Sequence, residues 1–328
     1  MLLLVCFVCD GQQGYLSYKT IRSGKDFSFP SFTGQGINVD KINRLLQLSE
    51  LELLKGYESR NIFERVSLDN GTIYGGKVNI GYTVKKNTDK VLSIRFDEAS
   101  CGATCHYWER YYNFNPGNGD LIHLKDLFTK KGYELFHRYA NAKRIRELKQ
   151  ERGYDSLFAE IPECYEEDDM EDFYVSGNAL CIDGDNCFGK NQKFSGIKTV
   201  SVFQPAEYRR YLNTYGRVFF GMADDTIGRY RSKSSLQLFS GRIGREEVLM
   251  VMRYEQEVTA EYVYSRYGHG IFLSGKVNKG QMDLVEYVKG KDSYKARLKA
   301  YFDGWNIKGI YYTLADTAKI HPVLLKRQ

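Results

Sequence analysis

The sequence predicts an α+β fold: an N-terminal α+β domain with an antiparallel sheet and flanking helices, followed by an all-β antiparallel meander or small barrel. Three observations lead to this prediction. Of the 328 residues, 14% are aromatic, with 26 Tyr and only 5 Pro, which favours pleated, half-buried strands. Two segments before residue 221 have apolar residues at helical spacing. Residues 236–328 contain only short strands separated by glycine-containing turns.

Composition and charge exclude several classes of protein. With 42% hydrophobic and 27% charged residues, the chain is neither collagen-like nor of disordered composition. The formal net charge is +6, but residues 231–328 carry 17 Lys+Arg against 10 Asp+Glu. No nucleic-acid recognition motif accompanies this surplus, so we expect no nucleic-acid ligand.

The first 14 residues are interpreted as the remnant of an export signal or a lipoprotein anchor. The apolar run Met1–Cys9 is shorter than the roughly 20 residues of a transmembrane helix, and a polar stretch follows it. Cys6 and Cys9 are the candidate lipidation sites. The alternative is a buried N-terminal strand.

Residues 15–221 are predicted to form the α+β domain. An amphipathic helix is expected at 38–57, ending at Gly56, and a second helix at 133–152. Pro205 starts a short helix that runs to about residue 215. Strands are expected in 15–36 and at 72–74, 77–84, 91–96, 107–114, 173–175, 179–182 and 199–203.

A run of acidic residues between 160 and 172 lies inside this domain. Such runs are usually solvated loops, and the ligand spacing of a calcium loop is absent. We therefore expect no metal site there.

Residues 222–235 are predicted to be a linker, and residues 236–328 the β domain. Glycine-containing turns separate about eight short strands, at 236–240, 248–254, 259–266, 271–277, 282–288, 294–300, 307–314 and 321–325. This spacing is typical of an antiparallel meander that curls or closes into a barrel.

Seven cysteines suggest an oxidising compartment. Cys101 and Cys105 flank one glycine-containing turn, and Cys181 and Cys187 flank another, so two local disulfides are expected. Cys164 is then left over. A zinc site is disfavoured because neither pair has C-x-x-C spacing.

The first domain resembles a known family. Residues 91–96 (VLSIRF), 111–115 (YYNFN) and 119–128 (GDLIHLKDLF) follow the family's pattern of a strand, a glycine-containing turn and an Asp-Leu-Phe ending, with Asn-Gly-Asp at 118–120 in place of the usual Thr-Gly-Lys. Upstream, residues 29–32 (FPSF) and 41–43 (KIN) match its proline-containing strand and helix start. Residues 27–220 are thus similar to the bacterial extracytoplasmic domain of unknown function shared by the lysozyme-sensing anti-sigma factor RsiV and the peptidoglycan deacetylase PdaC.

The resemblance implies an exported, envelope-facing domain that binds a ligand and does not itself catalyse. The family's deacetylase activity resides in a separate domain with paired aspartates and an H-x-x-x-H motif, which this sequence lacks. Residues 236–328 are loosely similar to small β-rich modules of bacterial lipoproteins.

Catalytic motifs do not support an enzyme. The five histidines lack metal-ligand spacing, and there is no G-x-S-x-G elbow or phosphate-binding loop. Glu109 with Asp97 or Glu98 could form a carboxylate pair, but a chain with 41 acidic residues offers such pairs by chance. A cell-wall hydrolase or deacetylase with an unrecognised site remains the alternative.

Two groups of aromatic residues are the candidate ligand contacts, because Tyr and Trp combine flat apolar area with a hydrogen-bonding tip. The alternative is that alternate members fill the cores. The candidates are Tyr107, Trp108, Tyr111 and Tyr112 in the first domain and Tyr262, Tyr264 and Tyr267 in the second.

The expected function is therefore that of a non-catalytic binding protein of the bacterial cell envelope, periplasmic or surface-exposed. Its expected partner is an envelope protein or a cell-wall glycan, with a lysozyme-like enzyme as one form of the protein partner. We expect membrane contact only through a lipid anchor. No cofactor is expected.

Overall fold

The computed structural model describes residues 14–34, 37–68, 76–151, 158–189, 197–233, 236–254, 257–287 and 293–328. Strands account for 47% and helices for 24% of the structure, which confirms the predicted fold class. Cys6, Cys9 and the strand predicted at 72–74 lie outside the described residues. Within these ranges, no helix has both the length and the apolar composition needed to cross a bilayer.

The chain divides into two compact units. The first contains residues 1–39, 79–99 and 106–232, and the second contains residues 40–78, 100–105 and 233–328. Residues 40–78 therefore group with the C-terminal strands, although their sequence pattern placed them in the first domain. Most of the predicted linker, up to residue 232, groups with the first unit.

Six strands form one sheet in sequence order: β1 (Ser17–Ser23), β2 (Phe27–Thr33), β3 (Lys77–Asn87), β4 (Leu92–Cys101), β5 (Cys105–Asn115) and β6 (Asp120–Leu121). The first two strands form an antiparallel hairpin, and β2 runs parallel to β3, with Phe27 opposite Ile80. The strands predicted at 77–84, 91–96 and 107–114 are thus present.

Within its described residues, the first unit also contains a three-stranded antiparallel sheet and four α-helices. The strands are β7 (Phe173–Ser176), β8 (Ala179–Asp183) and β9 (Val200–Phe203). The helices are α2 (Lys130–Gln150), α3 (Ile161–Glu167), α4 (Pro205–Tyr208) and α5 (Thr214–Phe219); α1 is described below with the second unit. Phe136, Ile182, Phe203 and Phe219 belong to the apolar core of these elements, and all four are buried.

Side-chain caps decide where the helices of this unit begin. The helix predicted at 133–152 starts at Lys130, because the Thr129 side chain accepts a hydrogen bond from the Gly132 amide. The single helix predicted at 205–215 is wrong. It stops at Tyr208, and Asn213 starts a new helix by accepting a hydrogen bond from the Gly216 amide at 2.9 Å.

Helix α1 (Ile37–Leu51), most of which belongs to the second unit, ends earlier than the predicted 38–57. The chain then forms backbone contacts that a helix could not make. Leu53 pairs with His269 in an antiparallel bridge, and the Leu54 amide donates to the Gly268 carbonyl at 2.9 Å.

Eight antiparallel strands of the second unit form a closed barrel. They are β10 (Leu236–Ile243), β11 (Glu246–Tyr254), β12 (Val258–Tyr264), β13 (Ile271–Asn278), β14 (Gln281–Tyr287), β15 (Tyr294–Phe302), β16 (Asn306–Thr313) and β17 (Asp316–Arg327). All eight predicted strands are present. Every second residue of a strand faces the interior of the barrel. Met250 of β11, Leu273 of β13, Leu284 of β14 and Leu298 of β15 are examples, and all four are fully buried.

The barrel closes where β10 pairs with β17. Gly241 lies opposite Leu325 in this pairing. A Cβ atom at Gly241 would lie 2.0 Å from the backbone oxygen of Leu324, closer than packing allows. Glycine is therefore required for the close approach of the first and last strands.

Two disulfides link cysteines within the described residues, and only one of them has the predicted pairing. Cys101 is linked to Cys105 as expected. The predicted Cys181–Cys187 pair is wrong, because Cys187 is linked to Cys164 of α3. Cys181 lies in the middle strand of the three-stranded sheet, where its thiol is free and buried.

Replacing Gly241 by Ala tests the closure. Gly241→Ala should lower the free energy of unfolding by about 1–3 kcal/mol, the usual cost of forcing extra atoms into close packing. Gly102→Ala is the matched control, because its Cβ would meet no atom within 4 Å; it should change stability by less than about 0.5 kcal/mol. Urea unfolding measures both variants. Equal stabilities would contradict the role assigned to Gly241.

Peptide mapping without reduction should recover Cys164 linked to Cys187. Replacing both by Ala should lower the free energy of unfolding by about 3 kcal/mol, because a loop with a sequence separation of 23 is released. Removing the Cys101–Cys105 link, with a separation of 4, should cost about 2 kcal/mol. Recovery of a Cys181–Cys187 peptide would contradict the pairing described above.

Candidate functional site

The first group of predicted aromatic residues lies along β5, and its members have different environments. Tyr107 is 55% exposed, whereas Tyr112 is buried and stacks on Phe114 at a ring-centroid distance of 6.1 Å. Trp108 is half-buried and donates its indole N–H to Glu98 at 2.6 Å. Tyr112 thus lies in the core, whereas the other three members of the group are at least partly exposed.

Tyr111 joins two carboxylates that are far apart in sequence. Its hydroxyl is hydrogen-bonded to Glu109 and, at 2.5 Å, to Asp183. Arg95 completes this carboxyl cluster with an ion pair to Glu109 at 3.2 Å. The Tyr111 ring also stacks on Tyr174, with centroids 5.5 Å apart and planes inclined by 8°.

The hydroxyl of Tyr111 has one proton and so can donate to only one of these carboxylates at a time. The other contact is best satisfied when a carboxyl group itself carries a proton. Burial raises the pKa of Glu109 to about 7, the negative charge of Asp183 adds to the increase, and Arg95 opposes it. Burial and the two carboxylates also raise the pKa of Tyr111 far above its usual value, so the phenol stays protonated.

The carboxylate pair considered from sequence is not the pair that forms. Asp97 is bound to Arg95 at 3.0 Å, and Glu98 is buried and contacts Trp108 and Arg110. Glu109 instead shares Tyr111 with Asp183, which lies 72 residues from Tyr111. No sequence signal could have indicated this partner.

Three acids of the acidic run contact basic side chains within the first unit. Asp168 contacts the buried Arg144 at 2.9 Å, and Asp169 contacts Lys125 at 3.1 Å. Glu171 contacts His123 at 2.7 Å. Among the described residues, no group of three His, Cys, Asp or Glu side chains could hold a metal ion.

The second group of predicted aromatic residues lies on β12 and the turn after it. Tyr262 is fully buried in the barrel and donates to Glu286 at 3.1 Å, so it is a core residue and not a surface contact. Tyr311 also donates to Glu286, at 2.6 Å. Tyr264 is half-buried, and Tyr267 is 52% exposed beneath the guanidinium of Arg266.

Residues 52–57, which follow α1, form hydrogen bonds with the turn at residues 265–270 that follows β12. The Gly270 amide donates to the Glu52 carbonyl at 2.8 Å, and the Tyr57 hydroxyl donates to the Ser265 carbonyl. The Tyr57 ring covers Gly268, where a Cβ atom would lie 2.2 Å from the ring. Gly268 also has a φ of +64°, in the left-handed region that favours glycine, so glycine is favoured at this position for two reasons.

A cleft of about 580 Å³ lies within the second unit, between this segment and strands β10 to β12. Its lining includes three cationic side chains, one acid and one aromatic ring: Arg44, Lys55, Arg242, Glu247 and Tyr57. Arg242 lies 3.7 Å from Glu247, and the lining as a whole has more basic than acidic side chains. The cleft is therefore electropositive.

Sequence reasoning missed all of these cleft residues. Its only relevant signal was the basic surplus of residues 231–328, which includes Arg242. Arg44, Lys55 and Tyr57 come from a segment that the sequence pattern assigned to the other domain. The sequence singled out Tyr267 in the turn after β12, whereas Ser265 and Tyr57 are the residues that line the cleft.

No protein-family model matches the chain, and no curated protein is detectably similar to it. The resemblance to the extracytoplasmic domain of RsiV and PdaC therefore stays a prediction.

The raised pKa of Glu109 predicts a pH dependence of stability. Below neutral pH the folded chain binds a proton at Glu109 that the unfolded chain, with an ordinary pKa of 4.5, has lost. The free energy of unfolding should thus fall as the pH rises from about 4.5 to about 7 and then level off; the full shift corresponds to about 3 kcal/mol, and solvent screening of the partly exposed Glu109 reduces the expected change to roughly 1–2 kcal/mol.

Glu109→Gln should remove this part of the pH dependence, because a glutamine does not titrate. Urea unfolding at a series of pH values measures it, with the exposed Glu134→Gln as the matched control. If both variants keep the slope of the unaltered protein, Glu109 does not titrate near neutrality.

Proposed function

We propose that this chain is a non-catalytic binding protein of the bacterial cell envelope and that the cleft of its second unit binds an anionic glycan. The observation that carries the proposal is the electropositive cleft with Tyr57 in its lining. Two disulfides support a location outside the reducing cytosol. The export signal predicted at residues 1–14 agrees with that location.

The cationic side chains suit a ligand with carboxylate or phosphate groups. Arg44 and Arg242 can each offer two parallel N–H donors to such a group, and Lys55 adds a compact positive charge. The Arg44 side chain is exposed to solvent, so a ligand can reach it without rearrangement of the core. Glu247 can accept a hydrogen bond from a hydroxyl group.

Tyr57 suits the apolar face of a sugar ring. Its hydroxyl is bound to the Ser265 carbonyl and its ring lies over Gly268, so the ring has a defined orientation before any ligand arrives. A positioned aromatic ring loses little entropy on binding. The cleft volume of about 580 Å³ lies within the range of small-molecule sites.

Isothermal titration calorimetry with tetragalacturonate, an acidic oligosaccharide, tests the proposal, with chitotetraose as an uncharged comparison. We expect binding of the acidic probe that weakens as salt is added, because exposed charges are screened. Arg44→Gln should raise the dissociation constant about tenfold, since one charge-assisted contact is lost.

Lys276→Gln is the matched control: it removes one positive charge from an exposed position on β13 that does not line the cleft. It should change the dissociation constant less than about twofold. Equal affinity for both oligosaccharides, or equal effects of the two variants, would contradict the proposal. The same titration with a lysozyme tests the protein partner implied by the family resemblance.

A second candidate function, hydrolysis of a wall polymer, is favoured by one observation. Glu109, with its pKa of about 7, shares Tyr111 with Asp183, so a proton donor and a second carboxylate lie close together. Release of reducing ends from peptidoglycan by the unaltered protein, abolished in Glu109→Gln, would support it.

A further inference from the structure

The outer surface of β16 and β17 carries a row of exposed apolar side chains. Ile310 lies opposite Pro322 in the strand register, and Tyr312 lies opposite Ile320. Ile320 is 54% exposed and Leu324 is 59% exposed. A contiguous patch of this kind is unusual on a protein surface unless something covers it.

Aromatic residues extend the row at the β15–β16 end. Tyr301 is 57% exposed and is the register partner of Lys308, and Trp305 is 51% exposed in the turn before β16. The Arg327 guanidinium lies over the Trp305 ring, 4.8 Å from its centroid. Tyr and Trp with one apolar side and one polar tip are typical of membrane interfaces.

The strands that carry this row have more basic than acidic residues. Residues 294–328 contain seven Lys+Arg and only two acids, Asp303 and Asp316. Both acids lie at strand ends: Asp303 accepts hydrogen bonds from the amides of Trp305 and Asn306, and Asp316 starts β17. Outward-facing positions of the three strands carry Lys299, Lys308 and Lys326, all exposed. On the neighbouring strand β14, Asp283 lies opposite Lys299 and is ion-paired with Arg297 at 2.5 Å.

These lysines alternate with the apolar side chains. Lys299 is the register partner of Ile310, and Lys308 is the partner of Leu324. A protein partner that covered the apolar row would have to bury these ammonium groups, and lysine is depleted from the cores of protein interfaces. At a bilayer surface the apolar side chains can enter the acyl boundary while each lysine reaches a headgroup phosphate.

We infer that the outer face of β15–β17, formed by Tyr301, Ile310, Tyr312, Ile320, Leu324 and the three lysines, docks on an anionic lipid bilayer. This contact is additional to the proposed glycan binding and does not need a lipid anchor at Cys6 or Cys9. The two surfaces adjoin, because Arg242 of the cleft is the register partner of Leu324. A docked barrel unit would thus hold its cleft beside the membrane surface.

Co-sedimentation of the full chain with vesicles tests the inference. We expect binding to vesicles of phosphatidylcholine mixed with phosphatidylglycerol, weaker binding at high salt, and little binding to phosphatidylcholine alone. Lys308→Gln and Lys326→Gln should each reduce the partition coefficient about fivefold, the equivalent of about 1 kcal/mol per basic residue near the surface.

The double variant Ile320→Ser with Leu324→Ser should lose at least about tenfold, because it removes two apolar side chains from the contact. Its matched control is Leu135→Ser with Val202→Ser, which removes two exposed aliphatic side chains from the first unit and should sediment like the unaltered protein. Circular dichroism and urea unfolding of each variant serve as the check that it is folded.

The readouts separate this inference from the proposed function. Arg44→Gln should still bind vesicles, and the Ile320→Ser, Leu324→Ser variant should still bind tetragalacturonate. Equal sedimentation with neutral and anionic vesicles, or no effect of the face variants, would overturn the inference. Loss of a dimer in the face variants on size-exclusion chromatography, without loss of vesicle binding, would also overturn it and assign the face to a second copy of the chain.

Discussion

Both proposed surfaces depend on the backbone pairing between the first and last strands of the barrel. The pairing of β10 with β17 places Arg242 in the cleft lining and, on the adjacent strand, Leu324 on the outer face. It requires a residue without a Cβ atom at Gly241, because the Leu324 carbonyl occupies that space. Closure also removes the two free strand edges that an open sheet would expose to aggregation.

The ionisable groups in the protein interior have protein partners, whereas the basic side chains of the cleft are exposed to solvent. In the barrel, Glu286 accepts hydrogen bonds from Tyr262 and Tyr311 and contacts Lys295 at 2.8 Å. In the first unit, Arg144 is buried against Asp168 and stacks on the Tyr165 ring at 3.8 Å. Removing one partner of such a pair would leave a buried charge uncompensated, so these groups maintain the fold. The cationic cleft side chains are mostly at the solvent boundary, where a ligand can replace water at little structural cost.

Local patterns predicted the elements well where local forces dominate. The eight barrel strands followed from alternating apolar residues and glycine turns, since each strand has one face in the core. Local patterns failed where a distant segment competes. Helix α1 ends at Leu51 because residues 53 and 54 pair with the turn near Gly268, and Cys187 pairs with Cys164 because α3 brings that thiol close.

The sequence by itself determined the α+β class, the positions of the barrel strands, the Cys101–Cys105 link and the excess of basic residues in the C-terminal part. These properties depend on spacing and composition within short stretches of chain. Only the tertiary structure decided that the ends of the meander meet, that Arg44 and Tyr57 lie beside Arg242, and that Glu109 shares a tyrosine with Asp183. Each of these contacts joins residues many positions apart, and their closeness depends on how whole elements pack, which no local pattern encodes.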